Sequence, residues 1–403
     1  MTFSFYSNKK LLISGQLLFV AMALMSGSAV QAQTKAAVLA APSGTLIYSL
    51  NPNSPMIPAS TLKLLTSLAA LKTLGKSYRF TTQIAYNPSN QDLHLKGYGD
   101  PLFISEELTR LSSQIIARYS PKTINNIVMD TSFFSSMIEI PGTGQSLNPY
   151  DATTGALCAN FNTFHFKWDP KQKRYTSAEP QTPFLEILLK DIQASGLKEG
   201  RILLDEKMRG LYAGLLIGKL LENAGVQISG RVISGPFCDT CPSKINFESE
   251  YSLEQLINKL LTFSNNFIAN QIMLAMGAKV YGPPATLDKG VRVLKDFAAQ
   301  DLNLQHVILA EGSGISRTNK ISADQMLKLL ETFKPYYQLL KKGDKDYYKT
   351  GTLSDVRTRA GYFIGKDGQL YPYVIMLNDT STGYEKIYEE LNAKVAQDAL
   401  KKR

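Results

Sequence analysis

Two apolar segments near the C-terminus constrain what this chain can fold into more than any other feature of its sequence. Residues 358–364 and 371–377 are rich in aliphatic and aromatic side chains, and a Lys-Asp-Gly turn at 366–368 lies between them. This pattern predicts an antiparallel β-hairpin. Apolar side chains then recur at helical spacing, which predicts a C-terminal amphipathic helix packed on the hairpin. They are Tyr384, Ile387, Tyr388, Leu391 and Val395.

The N-terminal part of the chain predicts a second unit of the same kind. Residues 35–50 form a hairpin pattern around a Pro-Ser-Gly turn, and residues 61–74 have a wide apolar face that ends at Gly75. Between residues 86 and 248, short strand-like runs alternate with loops rich in Gly, Pro and Asn. We therefore expect an α+β fold, an antiparallel sheet flanked by helices, with a large β-rich insertion.

Residues 1–32 have the pattern of a secretion signal. Lys9 and Lys10 precede a mostly apolar stretch at 11–25, and small residues then lead to Ala32. We expect export and cleavage, which leave 371 residues. An uncleaved anchor is disfavoured because the apolar stretch is short and interrupted. Further along, no run approaches the ~18 apolar residues of a bilayer span, so we expect no transmembrane segment and at most peripheral membrane contact.

The cysteine content rules out a fold that is held together by disulfides. Cys158, Cys238 and Cys241 allow at most one internal disulfide in 403 residues. Their pairing stays open, although a local bond between Cys238 and Cys241, or unpaired thiols, is favoured over a redox pair. The hydrophobic content of 44% is enough to offset chain entropy, so a hydrophobic core must carry the fold.

Several classes of function are disfavoured by motifs that the sequence lacks. His94, His165 and His306 lie far apart without a His-Glu-x-x-His motif, so we expect no metal and no cofactor. The absence of Gly-x-Ser-x-Gly argues against a Ser-His-Asp esterase. The net charge of +10 comes from dispersed basic residues, which indicates a solvated surface and no nucleic-acid binding.

A serine and a lysine three residues apart begin the first predicted helix. The sequence Ser60-Thr61-Leu62-Lys63 places a hydroxyl and an amine on one helical face. Burial and a second nearby cation would lower the pKa of the lysine, so that its neutral amine takes the serine proton. The backbone N–H of Ser60, at a helix N-terminus, is free to stabilise an oxyanion. The motif is weak alone because residues 7–10 and 195–198 match it too.

Two further segments add polar groups of the same chemistry. Ser264 and Asn266 offer a hydroxyl and a carboxamide at the start of an apolar helical run, where helix capping by Ser264 is the simpler interpretation. Lys-Thr-Gly occurs once, at residues 349–351, before the C-terminal hairpin. Gly351 would let a ligand lie against a strand edge, while Lys349 offers positive charge to a substrate carboxylate. An edge strand with a protective lysine is the alternative.

In this chain order, the three segments are the serine acyl-transfer set of penicillin-binding proteins and serine β-lactamases. Over nearly the whole mature chain, the sequence resembles the class C low-molecular-mass penicillin-binding proteins, the D-alanyl-D-alanine carboxypeptidase/endopeptidase family. The separation of 204 residues between Ser60 and Ser264 favours this family, which inserts extra domains there, whereas most related families place the two serines much closer. Four segments look like family signatures: residues 58–63, 95–101, 311–317 and 349–353.

The resemblance implies a chemical role for each motif residue. Ser60 would be the acylated nucleophile, Lys63 its proton acceptor and Ser264 a proton relay to the leaving group. Asn266 would hold the amide carbonyl of the substrate, and Lys349 would bind its terminal carboxylate.

The resemblance also implies how the substrate is recognised. Thr350 and Thr352 would assist in binding the carboxylate, and the N–H groups of Ser60 and Thr352 would form the oxyanion hole. Asp151 and Arg317 look like positions that recognise a side chain of the peptide stem.

The resemblance further implies the serine β-lactamase/DD-peptidase-like transpeptidase fold. The catalytic domain would be discontinuous, formed by residues 33–85 and 249–403, with the inserted region at 86–248. The insertion is shorter than in the longest family members, which leaves a third subdomain open, and the oligomeric state is open as well.

The main hypothesis is a periplasmic serine DD-peptidase that cleaves D-Ala-D-Ala in peptidoglycan stem peptides, and cross-links as an endopeptidase. β-Lactam antibiotics would be its covalent inhibitors. A serine β-lactamase is disfavoured because the long insertion is a peptidase feature and no deacylating acid is evident from the spacing. A non-catalytic peptidoglycan-binding envelope protein is the remaining alternative.

Overall fold

A computed structural model describes residues 34–136, 138–144, 151–204, 206–379 and 383–401. The secretion signal predicted at residues 1–32 lies outside the described residues. Residues 33–403 form one compact unit. Among the described residues, no helix combines the length and the apolar character that crossing a membrane requires.

The strands are numbered in chain order. They are β1 Lys35–Ala40, β2 Leu46–Leu50, β3 Arg79–Asn87, β4 Asp92–Gly97, β5 Thr123–Ile124, β6 Ile127–Asp130, β7 Thr163–Asp169, β8 Arg174–Ser177, β9 Glu199–Leu203, β10 Gln227–Ile228, β11 Val232–Ser234, β12 Lys244–Ser252, β13 Lys341–Lys342, β14 Asp346–Leu353, β15 Val356–Ile364 and β16 Leu370–Leu377.

The α-helices are numbered in the same way. They are α1 Lys63–Thr73, α2 Ser105–Tyr119, α3 Leu189–Ala194, α4 Glu206–Arg209, α5 Tyr212–Asn223, α6 Leu253–Phe263, α7 Asn266–Tyr281, α8 Leu287–Asp296, α9 Ala323–Phe333 and α10 Glu385–Lys401.

The two predicted hairpins join into one six-stranded antiparallel sheet. Its strand order is β13-β14-β15-β16-β1-β2, so the first and last strands of the fold lie side by side. Val38 of β1 faces Val374 of β16 in this pairing. The expected α+β fold with an antiparallel sheet flanked by helices is therefore confirmed.

Helices cover both faces of this sheet because its strands are apolar on both sides. On one face, Val38, Val374 and Met376 pack in a large core with the apolar sides of α1, α6, α7, α8 and α9. On the other face, Leu391 and Val395 of α10 pack against tyrosines and aliphatic residues of β16. The predicted packing of the C-terminal helix on the hairpin is confirmed.

The middle of the chain builds a second core around a five-stranded sheet. The strand order is β11-β6-β4-β3-β12, and α2 and α5 bury their apolar faces with it. The short strands agree with the strand-like runs expected between residues 86 and 248, whereas α2 was not predicted from the sequence. Its buried residues Leu108, Leu111 and Ile115 recur at helical spacing. A separate three-stranded sheet, β8-β7-β9, adjoins this core through Phe164 and Phe166.

The predicted domain boundaries fall inside two paired strands. The boundary after residue 85 lies within β3, and the boundary after residue 248 lies within β12. These strands are antiparallel neighbours, with Arg79 opposite Ser252. The division into a catalytic and an inserted domain stays a prediction.

The cysteine pairing that the sequence left open is local. Cys238 and Cys241 form a disulfide with an S–S distance of 2.07 Å, and Cys158 is a free, buried thiol. The fold therefore depends on its apolar cores, as the low cysteine content indicated.

One buried ion pair ties β14 to β15 on the face that α10 covers. Asp346 Oδ1 and Oδ2 accept hydrogen bonds from Arg359 Nη2 at 3.0 and 2.8 Å, and Tyr373 Oη also donates to Asp346. We predict that Asp346→Ala lowers the free energy of unfolding by about 3–5 kcal/mol, because it leaves Arg359 charged and uncompensated in the interior. Urea unfolding followed by circular dichroism measures the loss.

The matched control is Glu389→Ala, which removes the exposed ion pair with Lys345. An exposed pair contributes less than about 1 kcal/mol. Equal effects of Asp346→Ala and Glu389→Ala would contradict the interpretation.

Candidate active site

Ser60 lies in a 3-10 turn, Ala59–Leu62, that leads directly into α1. The turn is held in place by two glycines from distant parts of the chain. A Cβ on Gly314 would lie 1.8 Å from the carbonyl oxygen of Ala59, and one on Gly351 would lie 2.7 Å from the backbone nitrogen of Ser60. Ala59 itself has φ 47°, a left-handed conformation that costs a non-glycine residue energy. The close packing of Gly314 and Gly351 against the turn therefore fixes the position of Ser60.

The Lys63 side chain is fully buried, and its amino group meets three oxygen atoms. Lys63 Nζ lies 2.8 Å from Ser60 Oγ, 2.7 Å from Asn266 Oδ1 and 2.8 Å from the carbonyl oxygen of Ser313. Asn266 Oδ1 and the Ser313 carbonyl can only accept hydrogen bonds, so they fix two N–H bonds of the amine. The third direction points at Ser60 Oγ, where the neutral amine presents its lone pair.

The surroundings of Lys63 favour its neutral form. Burial is the largest cause that lowers its pKa well below the usual lysine value, and the positive charge of Lys349 lowers the pKa further. The carboxylate of Glu311 acts in the opposite direction and is the smallest of the three influences. Burial and a second cation are the two causes that the sequence analysis expected for this lysine.

The loop that carries the Ser313 carbonyl is organised by one buried carboxylate. Glu311 Oε2 accepts hydrogen bonds from the N–H and hydroxyl of Ser313 at 2.6 Å each and from Asn270 Nδ2 at 3.1 Å. Its Oε1 accepts from the N–H of Gly314 at 2.7 Å and from Asn319 Nδ2 at 2.6 Å. Glu311 thereby fixes the backbone that supplies one acceptor of Lys63.

Residues 311–317 resemble a family signature in sequence, but no role for Glu311 or Ser313 was predicted from it. The available signal was an acidic residue followed by Gly-Ser-Gly, a combination that lets several backbone N–H groups turn toward one carboxylate. That the resulting loop contacts Lys63 depends on tertiary structure.

Ser264 and Asn266 lie at the junction of two helices. Ser264 ends α6 in a left-handed conformation with φ 56°, and Asn265 caps α7 by accepting from the N–H of Ile268 at 3.0 Å. The simpler interpretation, that Ser264 caps the helix, is therefore wrong, since the neighbouring asparagine does so. The Ser264 hydroxyl is instead directed to Lys349.

Lys349 lies on β14 and is buried against Ser264. Its Nζ donates to Ser264 Oγ at 2.7 Å and to the carbonyl oxygen of Thr350 at 2.7 Å. Burial lowers the pKa of Lys349 to about 8. Ser60, Lys63, Asn266, Ser264 and Lys349 thus form two hydrogen-bonded groups, and the charge of Lys349 is close enough to act on Lys63.

The outer edge of β14 is partly open. The short strand β13 pairs only with Tyr347 and Tyr348, so the pairing stops before the Lys-Thr-Gly segment. Thr350 is half-buried and Thr352 is exposed. We expected Gly351 to make room for a ligand. The space beside it is instead filled by the backbone of Ser60 and the hydroxyl of Thr358.

Arg317 and Asp151 are placed differently from the motif residues. Arg317 is exposed and lies beside the turn that follows β14. It forms an ion pair with Asp355 of this turn at 2.5 Å and donates to Ser354 Oγ at 2.6 Å. Asp151 is buried in a segment anchored at Gly155, whose N–H donates to Gln271 of α7. Their recognition roles stay predictions.

One group outside the active site has metal-ligand spacing. In the part of the chain that the structure describes, this group is His94, Cys238 and Cys241, with ligand atoms within 4.8 Å of one another. The two sulfurs are bonded to each other.

Solved structures of two bacterial proteins have a fold similar to that of this chain. The crystal structure of penicillin binding protein 4 from Haemophilus influenzae matches with a TM-score of 0.69 and 21% identity, covering 87% of this chain and 91% of that one. A predatory peptidoglycan endopeptidase from Bdellovibrio bacteriovorus matches with a TM-score of 0.53 and 18% identity, covering 92% and 93%.

The chain belongs to the D-Ala-D-Ala carboxypeptidase 3 (S13) family, whose model matches residues 20–187 and 193–341. D-Alanyl-D-alanine carboxypeptidase DacB from Haemophilus influenzae is 24% identical over 410 residues, covering 84% of each chain. D-Alanyl-D-alanine carboxypeptidase from Actinomadura sp. is 23% identical over 401 residues, covering 81% of this chain and 74% of that one. The protein is a serine-type peptidase, and the resemblance identified from the motifs is confirmed.

We predict that Glu311→Gln slows acylation of Ser60 at least tenfold. The glutamine amide replaces one acceptor oxygen with an N–H donor that faces other donors, so the loop moves and the Ser313 carbonyl leaves Lys63. The second-order rate of labelling by a fluorescent penicillin measures the effect, at a temperature where the variant is folded.

Asp324→Asn is the matched control, since this carboxylate lies on α9 and pairs with Lys328. It should label at the wild-type rate. A Glu311→Gln protein that labels as fast as the control would show that Glu311 has no part in positioning Lys63.

Proposed function

We propose that this protein is a serine DD-peptidase of the bacterial envelope that cleaves D-Ala-D-Ala-terminated stem peptides of peptidoglycan through an acyl-enzyme on Ser60. The observation that carries the proposal is the position of Lys63 Nζ, 2.8 Å from Ser60 Oγ and buried with two of its N–H bonds engaged. A buried, neutral amine at this distance is a general base for a serine hydroxyl.

Acylation begins when Lys63 Nζ takes the proton of Ser60 and Oγ attacks the carbonyl carbon of the scissile amide. The carbonyl oxygen becomes an oxyanion, for which the N–H groups of Ser60 and Thr352 are the proposed donors. Asn266 supports the same step because its amide nitrogen is available to the substrate while its oxygen is engaged by Lys63.

The collapse of the tetrahedral intermediate breaks the C–N bond and needs a proton on the leaving amine. Ser264 is the proposed relay, since its hydroxyl is held 2.7 Å from Lys349 Nζ. The terminal carboxylate of the substrate binds to Lys349 with help from Thr350 and Thr352 on the open edge of β14. D-Alanine then leaves, and water hydrolyses the ester to restore Ser60.

The same site accommodates an endopeptidase reaction in which the leaving group is the amine of a cross-linked residue. Arg317 and Asp151 are the proposed recognition residues for the stem side chain. Because Arg317 is paired with Asp355 here, a substrate carboxylate has to compete with Asp355 for the guanidinium. Two of the similar structures belong to a predatory peptidoglycan endopeptidase and to a penicillin-binding protein with a bound β-lactam.

The proposal includes export to the periplasm and inhibition by β-lactams. The secretion pattern of residues 1–32 supports export. A β-lactam has a strained amide and a carboxylate, so Ser60 and Lys349 suit it as they suit the peptide. Its acyl-enzyme would keep Ser60 blocked.

The defining experiment compares Ser60→Ala with the wild type in two assays. Wild-type protein should release D-alanine from a soluble pentapeptide that ends in D-Ala-D-Ala, and it should be labelled covalently by a fluorescent penicillin. Ser60→Ala should do neither, because no other hydroxyl occupies its position beside Lys63. Release of D-alanine by Ser60→Ala would refute the proposed mechanism, and fast turnover of penicillin by the wild type would favour a β-lactamase.

We predict a bell-shaped pH profile of kcat/KM with its alkaline limb near pH 8. Lys63 must be neutral, and burial lowers its pKa well below the usual lysine range, which moves the acidic limb in the same direction, to lower pH. Lys349 must be charged to bind a carboxylate, and it loses its proton above its pKa of about 8. Activity against the pentapeptide across pH 5–10 measures both limbs.

Lys349→Arg tests whether the alkaline limb of the pH profile belongs to Lys349, because arginine stays charged throughout this range. The variant should bind weakly and lose the alkaline limb. An alkaline limb that persists near pH 8 in Lys349→Arg would assign that limb to another group.

A further inference from the structure

The three-stranded sheet formed by β7, β8 and β9 presents an aromatic surface that the peptidase chemistry does not use. Trp168 of β7 lies opposite Tyr175 of β8, and their ring centroids are 5.0 Å apart at 72°. Trp168 is 37% exposed and Leu197, nearby, is 41% exposed. We call Trp168, Tyr175 and Leu197 the aromatic platform.

The platform is rigid because a buried ring and hydrogen bonds from neighbouring segments hold its residues in place. The Tyr175 ring also contacts the buried Phe166 at 5.7 Å, so it is held between Phe166 and Trp168. Tyr175 Oη donates to the carbonyl oxygen of Leu197 at 3.0 Å, and the backbone N–H of Trp168 donates to the carbonyl oxygen of Lys198 at 2.6 Å, which fixes the strand that carries the indole ring. Binding to such a surface loses little side-chain entropy.

The hairpin that carries the platform is basic. Residues 167–174 contain four basic side chains and one acidic side chain, and Lys198 adjoins Leu197. Asp169 is engaged locally, because its Oδ1 accepts from the N–H groups of Lys171 and Gln172 at 2.8 and 3.1 Å. The basic side chains Lys167, Lys171, Lys173 and Arg174 are all exposed.

We propose that the aromatic platform binds the glycan strand of peptidoglycan while Ser60 acts on a stem peptide. This inference rests on the proposed function for the identity of the polymer. The C–H face of a sugar ring is weakly electropositive and apolar, so it stacks on the negative face of an aromatic ring. The carboxylates of the stem peptides that the strand carries complement the basic hairpin.

A flat polymer fits these observations better than a lipid bilayer does. Nearly two thirds of the Trp168 surface is already covered by the protein, so the ring offers a face to a ligand and does not protrude. An amphipathic membrane helix, in contrast, would bury a continuous apolar stripe. The platform consists of three apolar side chains, two on paired strands and Leu197 just before β9.

Trp168 is the only tryptophan of the chain, so its fluorescence reports on the platform directly. The experiment uses the full-length Ser60→Ala protein, which leaves the polymer uncleaved, and titrates it with soluble peptidoglycan glycan chains. We expect a saturable change in emission that the free pentapeptide does not cause. A flat titration, or a change produced only by anionic lipid vesicles, would overturn the proposal.

A second measurement uses variants that keep the catalytic residues. Trp168→Ala should raise KM for polymeric peptidoglycan about tenfold and leave kcat/KM for the free pentapeptide unchanged, while Trp168→Phe should retain most of the affinity. Ile364→Ala, which removes an apolar residue of the same 37% exposure from another sheet, is the control and should alter neither.

The two proposals fail separately in this design. If the pentapeptide is not cleaved but glycan chains still change the Trp168 emission, the peptidase mechanism fails and the glycan site stands. If the pentapeptide is cleaved and Trp168→Ala has wild-type KM for the polymer, the glycan site fails alone. Lys171→Gln combined with Lys173→Gln should weaken glycan binding and reduce its dependence on salt.

Discussion

The buried amine of Lys63 is the feature on which the rest of the active site depends. Removing a lysine from water is expensive unless its N–H groups find partners, and the protein offers two fixed oxygen acceptors for this purpose. One is Asn266 Oδ1 at the start of α7, and the other is the carbonyl oxygen of Ser313. Because each acceptor comes from a distant part of the chain, the hydrogen bonds of the proposed base form only when these parts of the fold are assembled.

The topology explains how a long insertion can separate Ser60 from Ser264 in sequence without separating them in space. The chain leaves the core that contains α1 through β3 and returns through β12 before α6. These two strands pair with each other, and Arg79 lies opposite Ser252 at the end that adjoins the helices. The size of the intervening region is therefore free to vary, because both of its ends are fixed by one strand pair.

The sequence was sufficient for those features that depend on local pattern. The hairpins, α1 and α10 follow from apolar periodicity, and the motif residues Ser60, Lys63 and Lys349 follow from spacing and chemistry. Contacts between distant segments were not accessible in this way. Glu311 gathers N–H groups from its own loop, but its partners Asn270 and Asn319 and its relation to Lys63 come from packing. For the same reason, the packing of Gly351 against Ser60 and the pairing of Arg317 with Asp355 were not foreseen.

In the proposed mechanism, Lys63 has to be neutral and Lys349 has to be charged. The two amines are close enough for the charge of one to change the pKa of the other. In the free enzyme, burial and then the charge of Lys349 lower the pKa of Lys63 and favour its neutral form. In the proposed mechanism, a substrate carboxylate that binds Lys349 offsets this charge, and by Coulomb's law the basicity of Lys63 then rises just when a proton has to be taken from Ser60. In the proposed mechanism, departure of D-alanine removes the carboxylate and lowers the pKa of Lys63 again, which favours its neutral form for the attack of water. Binding of the substrate and strength of the base are thus coupled through one electrostatic interaction.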